Sequence, residues 1–279
     1  MQIGKKQFDI ENRTYIMGIL NVTPDSFYDG GAFCDMDTAL HQAEKLVLEG
    51  ADIIDIGGES TRPGATPIGE QEEIERTADI VLNVKNRFGD IPISIDTYKA
   101  SVAKVALDSG ADMVNDIWGL RHDKAMAAVV ADLEVPVVLM HNHLMLMQQT
   151  FEVPKHSNFF NELCNGLKES MRIAKSVGIK KENIILDPGI GFGGKTLEQN
   201  LACIAELGKL KKLGFPILIG VSNKSVIGNV LGVEVGERLY GTLGANMAAV
   251  AHGAAFIRVH DVRAHRDALT MWEMIKFTQ

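Results

Sequence analysis

The sequence predicts a (β/α)8 barrel, a TIM barrel of the α/β class, with a short N-terminal β-hairpin. Short apolar runs recur along the chain, and a polar residue lies in or directly after each of them. Segments of helical period separate these runs, a pattern that is typical of parallel α/β folds. About eight such units in roughly 250 residues fit a closed barrel, whose active site lies at the carboxyl ends of its strands.

The hairpin is predicted at the start of the chain, where Ile3, Phe8 and Ile10 flank a polar turn. It precedes the first predicted barrel strand. We therefore expect it to plug the bottom of the barrel, at the amino ends of the strands.

The eight strands are predicted from apolar runs of the kind that form buried parallel strands. Each run brings a polar side chain toward the same end of the sheet. The runs and their polar residues are Ile16–Leu20 with Asn21, Ile53–Ile56 with Asp55 and Glu59, Ile93–Ile95 with Asp96, Met113–Val114 with Asn115, Val137–Met140 with His141, Ile184–Leu186 with Asp187, Ile217–Val221 with Ser222, and Phe256–Val259 with Arg258 and His260.

Three helices are predicted with defined ends: Asp35–Gly50, Ala100–Gly110 and Leu197–Gly214. Each closes at a glycine, which readily adopts the left-handed conformation that ends many helices. The lysines near the end of the third segment suit a solvated helix terminus, because the helix dipole favours cations there.

Composition predicts one domain over residues 1–279, because 46% of the residues are hydrophobic and no low-complexity linker divides the chain. No apolar run approaches the ~18 residues of a membrane span. The polar start, residues 1–6, lacks the apolar region of a signal peptide. We therefore expect a cytoplasmic protein.

Charge and cysteine content argue against three further classes of protein. The formal net charge of −8 argues against non-specific nucleic-acid binding, so an anionic ligand needs a local cationic cluster. Cys34, Cys164 and Cys203 are odd in number and lack the ligand spacing of a zinc site. Neither a disulfide framework nor a zinc centre is expected.

Two loops carry residues suited to a phosphate-bearing ligand and its Mg²⁺ ion. Asn21 leaves the first strand and offers a neutral oxygen to a Mg²⁺ ion that keeps most of its waters and binds substrate phosphates. Residues 57–64 combine glycines, which permit close backbone approach, with Ser, Thr and Arg donors for phosphate oxygens. Simple turn formation would also explain the first loop, and anion binding by the second stays open.

Asp96, Asn115 and Asp187 leave three different strands and should converge at the barrel mouth. Carboxylates and amides there could bind a heterocycle with alternating donors and acceptors, such as a pterin or guanine, or they could form a structural network. Residues 222–225 follow the seventh strand, and Arg258 and His260 lie at the eighth. These cations fall where barrels commonly bind phosphate.

Together these segments resemble the dihydropteroate synthase family of pterin-binding enzymes. The resemblance runs from about Tyr15 to Asp261, nearly the whole chain. Its most specific parts are MGILNVTPDSF at residues 17–27 and DIGGESTRPG at residues 55–64. The family implies a transferase of folate biosynthesis that joins 6-hydroxymethyl-7,8-dihydropterin diphosphate to 4-aminobenzoate and releases diphosphate. It also implies Mg²⁺ as cofactor, sulfonamides as competitors and a homodimer.

The resemblance assigns roles residue by residue. It implies catalytic roles for Asp187, Lys224, Arg62 and Asp25, and a Mg²⁺ contact for Asn21. Thr61, Arg62 and Pro63 would belong to a mobile loop that closes over the site with the loop at residues 25–31. The implied substrate-binding residues are Thr61, Arg62, Pro63, Asp96, Asn115, Asp187, Phe192, Lys224, Ser225, Arg258 and His260. Ser225 would meet the aminobenzoate carboxylate at a helix N-terminus, and Phe192 and Arg258 would lie against the pterin ring.

The chain departs from the family pattern in two places. Asn223 stands where an Arg is usual, and residues 141–147 lack the usual Gly and Pro after the Met-His start. Two alternatives therefore stay open: a pterin-binding methyltransferase, and a non-catalytic pterin-binding barrel. The first would bind methyltetrahydrofolate; the second would bind the pterin without turnover.

Overall fold

The computed structural model describes residues 1–23, 36–61, 65–142 and 156–278. The predicted hairpin is present as two antiparallel strands, β1 (Gln2–Ile3) and β2 (Lys6–Gln7). The barrel strands are β3 (Tyr15–Asn21), β4 (Ile53–Gly57), β5 (Ile93–Asp96), β6 (Met113–Asp116), β7 (Val137–Met140), β8 (Ile184–Asp187), β9 (Leu218–Ile219) and β10 (Phe256–Val259).

These eight strands form one parallel sheet in the order β8-β7-β6-β5-β4-β3-β10-β9. Leu186 of β8 also pairs in parallel with Ile217, directly before β9, so the two edges of the sheet meet. The predicted parallel barrel is therefore confirmed, with its first and last strands, β3 and β10, side by side.

Helices lie between the strands and cover the outside of the sheet. Those among the described residues are α1 (Met36–Leu48), α2 (Glu70–Arg87), α3 (Ala100–Asp108), α4 (Met126–Asp132), α5 (His156–Ser176), α6 (Leu197–Ala205), α7 (Leu207–Lys211), α8 (Ser225–Leu231), α9 (Leu239–Ala251) and α10 (Val262–Lys276). None of the described helices combines the length and the apolar character needed to cross a membrane.

The hairpin plugs the lower end of the barrel, as predicted. Ile3 and Phe8 are buried in a cluster with residues from seven barrel strands, and Ile10 packs at its edge. The strand members of this cluster are Met17, Ile53, Met113, Val138, Ile185, Leu218 and Phe256. Because apolar side chains fill this end of the barrel, the polar residues are left to the opposite end.

The prediction of one helix over residues 197–214 was wrong in one respect, because the segment forms two helices, α6 and α7. Glu206 between them has φ −104° and ψ 15°, outside the helical region. Gly208 lies two residues further on, and glycine weakens helix propensity. At its start, α6 has a reciprocal capping box between Thr196 and Gln199.

Candidate active site

The register of the sheet brings four sequence positions into one row at the barrel mouth. Asn21 pairs with Gly57, Gly57 with Asp96, and Asp96 with Asn115. Cross-strand partners in a parallel sheet point to the same face, so this row carries two amides and a carboxylate. Gly57 has no side chain, so the space between Asn21 and Asp96 stays open. A Cβ added there would contact both residues, at 3.8 Å from Asn21 Oδ1 and 3.5 Å from Asp96 Cβ.

Arg258 connects this row to a second acid. Its Nε donates to Asp55 Oδ2 at 2.5 Å, and its terminal nitrogen donates to Asp96 Oδ2 at 2.6 Å. Asn115 Nδ2 also donates to Asp55 Oδ2, at 3.2 Å. The Oδ1 atom of Asp55 is buried and accepts no hydrogen bond within the described residues. The mouth therefore contains a cation shared by two acids.

The pKa values of Asp96 and Arg258 are both raised, Asp96 by burial and Arg258 by the neighbouring carboxylates. Burial raises the pKa of Asp96 to about 7, although Arg258 opposes the shift. Burial would lower the pKa of Arg258, but the carboxylates of Asp55 and Asp96 outweigh it and raise that pKa above its ordinary value. Arg258 thus stays charged, while Asp96 can change protonation near neutral pH.

Asp187 ends β8 and is held by its own loop. Its Oδ1 accepts a hydrogen bond from Gly189 N at 2.7 Å, and its backbone carbonyl accepts one from His141 N at 2.8 Å. Gly189 has φ +69°, and an added Cβ would lie 2.2 Å from the His141 carbonyl oxygen, so glycine is required. Burial raises the pKa of Asp187, and the nearby Lys224 ammonium opposes that shift.

Lys224 brings a second cation to the mouth, where its charge interacts with that of Asp187. Its Nζ donates to the Ile190 carbonyl at 2.5 Å and lies 4.4 Å from the ring centre of Phe192. Burial lowers the pKa of Lys224 to about 7, although Asp187 opposes the shift. Lys224 and Phe192 therefore form one wall of the site, with a cation against an aromatic face.

Lys195 holds the loop that carries Phe192. Its Nζ donates to the Gly189 carbonyl at 2.9 Å and to the Phe192 carbonyl at 3.1 Å. Burial lowers the pKa of Lys195 to about 8, and the Asp187 carboxylate is among the charges that oppose this shift. Lys195 was not predicted as a site residue, because a lysine eight residues beyond a strand resembles an ordinary surface residue.

His260 and Ser222 are paired at the cationic side of the mouth. Ser222 Oγ lies 3.0 Å from His260 Nδ1, and His260 N donates to the same hydroxyl at 3.2 Å. Asn223 has φ +56°, in the left-handed region that asparagine tolerates better than most residues. Arg238 donates to its carbonyl at 2.9 Å, so a cation lies close to this position. Ser225 is exposed and begins α8.

The structure thus brings Asn21, Asp96, Asn115 and Asp187 to one end of the barrel with their cationic partners. Thr61 lies at the rim and is exposed. Asp25, Arg62 and Pro63 lie outside the described residues, as do His143 and Cys34. Asp55 was not predicted as a site residue. Its position inside an apolar strand was a signal that could have found it, since a carboxylate there needs a buried partner.

No cluster of three or more His, Cys, Asp or Glu side chains that could hold a metal ion occurs in the described parts of the chain. The donor chemistry at the mouth fits a different type of site. Asn21 supplies one neutral oxygen at the end of β3, which suits Mg²⁺ bound mainly by water and substrate phosphates.

Comparison with known proteins identifies the group to which this barrel is related. The family model described as "Pterin binding enzyme" matches residues 17–260. The chain belongs to the pterin-binding enzyme family. A dihydropteroate synthase of Clostridium beijerinckii is 50% identical over 276 residues, which cover 99% of each chain.

Two solved structures extend this similarity to the fold. A Clostridium difficile dihydropteroate synthase, solved in the presence of pteroic acid, is 48% identical with a TM-score of 0.89, and the match covers 96% of this chain and 99% of that one. A Yersinia pestis dihydropteroate synthase in a sulfonamide drug complex is 35% identical with a TM-score of 0.90, and the match covers 100% and 99%. The family resemblance and the barrel fold expected from the sequence are both confirmed.

Proposed function

We propose that the protein is a dihydropteroate synthase that joins 6-hydroxymethyl-7,8-dihydropterin diphosphate to 4-aminobenzoate. The observation that carries this proposal is the grouping of Asp96, Asn115, Asp187 and Lys224 at one barrel mouth. The full-length similarity to dihydropteroate synthases supports it. The whole chain, residues 1–279, acts as one pterin-binding domain.

The side chains at the mouth match the edge of a 2-amino-pyrimidinone ring. Asp96 and Asp187 accept from ring N–H groups, and the buried Oδ1 of Asp55 supplies a further acceptor beside them. Asn115 and Lys224 donate to ring oxygen or nitrogen. Each charged hydrogen bond contributes about 1.5–3 kcal/mol net, so several of them select one ring orientation. Phe192 and Arg258 lie against the ring faces.

The same residues account for the reaction. The bond between the methylene carbon and the diphosphate oxygen breaks, and the electron pair leaves with diphosphate. The dihydropterin delocalises the positive charge that remains, and the Asp187 carboxylate stabilises it electrostatically. The amine of 4-aminobenzoate then attacks the methylene carbon, forms the C–N bond and loses a proton to water. This route requires no nucleophilic Ser or Cys.

The leaving diphosphate meets the cationic side of the mouth. Arg258 and His260 contact its oxygens, and Asn21 would hold the Mg²⁺ ion. Bound Mg²⁺ supplies charge neutralisation on the diphosphate. His260 is already oriented by Ser222, which fits a phosphate contact better than a general base.

The aminobenzoate is assigned to the rim. Ser225, at the start of α8, binds its carboxylate. The family resemblance assigns Thr61, Arg62, Pro63 and Asp25 to the same substrate. Sulfonamides, which share the 4-aminophenyl group and carry an acidic group opposite it, compete for the same place.

We further propose that the protein is a cytoplasmic homodimer. Exposed apolar side chains on α9 and α10 support a subunit interface, among them Tyr240, 83% exposed, and Met274, 65% exposed. Such side chains on adjacent helices are common at interfaces between copies of a chain. Static light scattering of the purified protein distinguishes the dimer from the monomer.

The activity is tested by mixing the protein with dihydropterin diphosphate, 4-aminobenzoate and Mg²⁺ and measuring released diphosphate and dihydropteroate. We expect both products in equal amounts, and loss of turnover when EDTA removes Mg²⁺. Pterin binding without product would instead support a non-catalytic barrel, and binding of methyltetrahydrofolate would support a methyltransferase.

Binding of the pterin substrate should depend on pH in a bell shape. Asp96, with its pKa raised to about 7, becomes an ionised acceptor as the pH rises through that value. Lys224, with its pKa lowered to about 7, loses its ammonium over the same range. Affinity should therefore peak near neutral pH and fall on both sides.

The variant Lys224→Arg separates the fall in affinity at high pH from the fall at low pH, because arginine stays protonated at all accessible pH values. Calorimetric titrations between about pH 6 and 9 should show that the variant loses the alkaline decline and keeps the acidic one. Ionisation of the ligand is common to both proteins and cancels in the comparison. An alkaline decline of the same size in the variant would contradict the assignment to Lys224.

A further inference from the structure

A buried ionic cluster lies beside the segment that carries Thr61, outside the ring-binding residues. Lys99 is 8% exposed, and its Nζ donates to Glu59 Oε2 at 2.5 Å and to Glu73 Oε2 at 2.6 Å. Tyr98 donates its hydroxyl proton to the other oxygen of Glu59 at 2.8 Å. The proposed function assigns no role to any of these residues.

Lys99 also connects the two ends of one segment of the chain. Glu59 follows strand β4 by two residues and precedes Thr61 by two. Ile68 lies two residues before α2, and its carbonyl accepts from Lys99 Nζ at 2.8 Å. Ile68 N in turn donates to Glu59 Oε2 at 3.3 Å. One ammonium therefore fixes the start and the end of residues 59–68 relative to each other.

The third partner of Lys99 joins this segment to the scaffold. Glu73 lies in the first turn of α2 and is 1% exposed. Burial raises the pKa of Glu73, while Lys99 opposes that shift. Burial would lower the pKa of Lys99, but the two carboxylates outweigh it and raise that pKa. Lys99 therefore stays charged, and its bonds to Glu59, Ile68 and Glu73 tie the segment that carries Thr61 to α2.

We propose that Lys99 is a positioning residue for the synthase reaction. By clamping Glu59 and Ile68 to α2, it sets the position of Thr61 at the aminobenzoate side of the mouth. This inference rests on the proposed function, which assigns Thr61 to the aminobenzoate pocket. Lys99 itself reaches neither the pterin-binding acids nor the cations in the described structure, so its effect on pterin affinity should be small.

The double variant Lys99→Met/Glu73→Gln tests this role. It removes one ammonium and one of its two carboxylate partners, so the cluster keeps its net charge of one negative unit. A displacement of about 1 Å in a positioning element can lower turnover roughly 10²-fold. We expect kcat to fall about 10-fold to 100-fold and the KM for 4-aminobenzoate to rise. The Kd for dihydropterin diphosphate, measured calorimetrically without aminobenzoate, should stay within about twofold.

Lys85→Met is the matched control. Lys85 lies at the other end of α2 and forms a half-buried ion pair with Asp112, with 2.6 Å between Nζ and Oδ2. This variant should lose stability and keep its kcat. If the wild-type protein and Lys85→Met both form dihydropteroate, the proposed function holds whatever the Lys99 result is.

A double-mutant cycle with Thr61→Ala shows whether Lys99 acts through the segment. Residues that act as one unit give non-additive effects, so Thr61→Ala should lower kcat less in the Lys99→Met/Glu73→Gln protein than in the wild type. The inference is overturned if the folded double variant keeps wild-type kcat and KM. Equal Thr61→Ala effects in the two backgrounds would also overturn it, as would a pterin affinity that falls as far as kcat does.

Discussion

Replacing Asp187 with Asn should lower kcat for dihydropteroate formation about 10²-fold to 10³-fold, the usual effect of removing one preorganised electrostatic group. The carboxylate opposes the positive charge that develops on the pterin methylene, and a neutral amide cannot. The amide oxygen can still accept the hydrogen bond from Gly189 N that Asp187 Oδ1 accepts at 2.7 Å. Steady-state kinetics and urea denaturation should therefore show a large loss of kcat with little loss in the free energy of unfolding.

Asp116→Asn is the control for this change. Asp116 ends strand β6, two strands from β8 in the sheet, is also buried, and caps its turn through hydrogen bonds from Trp118 N and Leu120 N at 2.8 and 2.7 Å. Its carboxylate serves that turn, so the variant should lose some stability and retain kcat. A kcat that falls equally in the Asp187 and Asp116 variants would show that any buried strand-end acid matters in the same way, and would contradict the electrostatic role of Asp187.

Replacing Arg258 with Met should lower the free energy of unfolding by about 3–5 kcal/mol, because it leaves two buried acids without their shared cation. Asp55 is fully buried, and Asp96 is nearly so, with 15% of its side chain exposed. The same change removes a diphosphate contact and one face of the pterin site. Urea denaturation measures the first effect, and calorimetry with dihydropterin diphosphate measures the second.

Arg266→Met is the control for this change, because it also removes an ion pair but at a different place in the barrel. Arg266 bonds Asp52 at 2.5 Å at the lower end of the barrel, where the two side chains are 27% and 24% exposed. Solvent screens this pair, so the cost in stability should be well below that of Arg258→Met, and pterin affinity should not change. Equal destabilisation by the two substitutions would contradict the central position assigned to Arg258.

The strand ends could be predicted from the sequence because each follows a local rule. Asn21, Asp96, Asn115 and Asp187 come directly after short apolar runs, and parallel strands bring their carboxyl ends to one edge. The hairpin plug was predictable for the same reason, since Ile3 and Phe8 need a buried surface and the barrel has one open apolar end.

The partnerships between these residues could not be predicted in this way. Arg258 and Asp55 are 203 positions apart, and they meet only because the barrel closes with β10 beside β3. Lys99 illustrates the same limit, since its partners Glu59 and Glu73 come from a strand end and a helix start. The break at Glu206 depends on local backbone angles within an otherwise helical pattern.

The assignment of the barrel mouth to the pterin ring is tested most directly by calorimetry of dihydropterin diphosphate binding to Asp96→Ala. Loss of one charged hydrogen bond of about 1.5–3 kcal/mol predicts affinity lowered roughly 10-fold to 150-fold, with aminobenzoate binding much less affected. Arg258 keeps Asp55 as a partner in this variant, so the fold should persist. A folded Asp96→Ala protein that binds the pterin as tightly as the wild type would contradict this assignment.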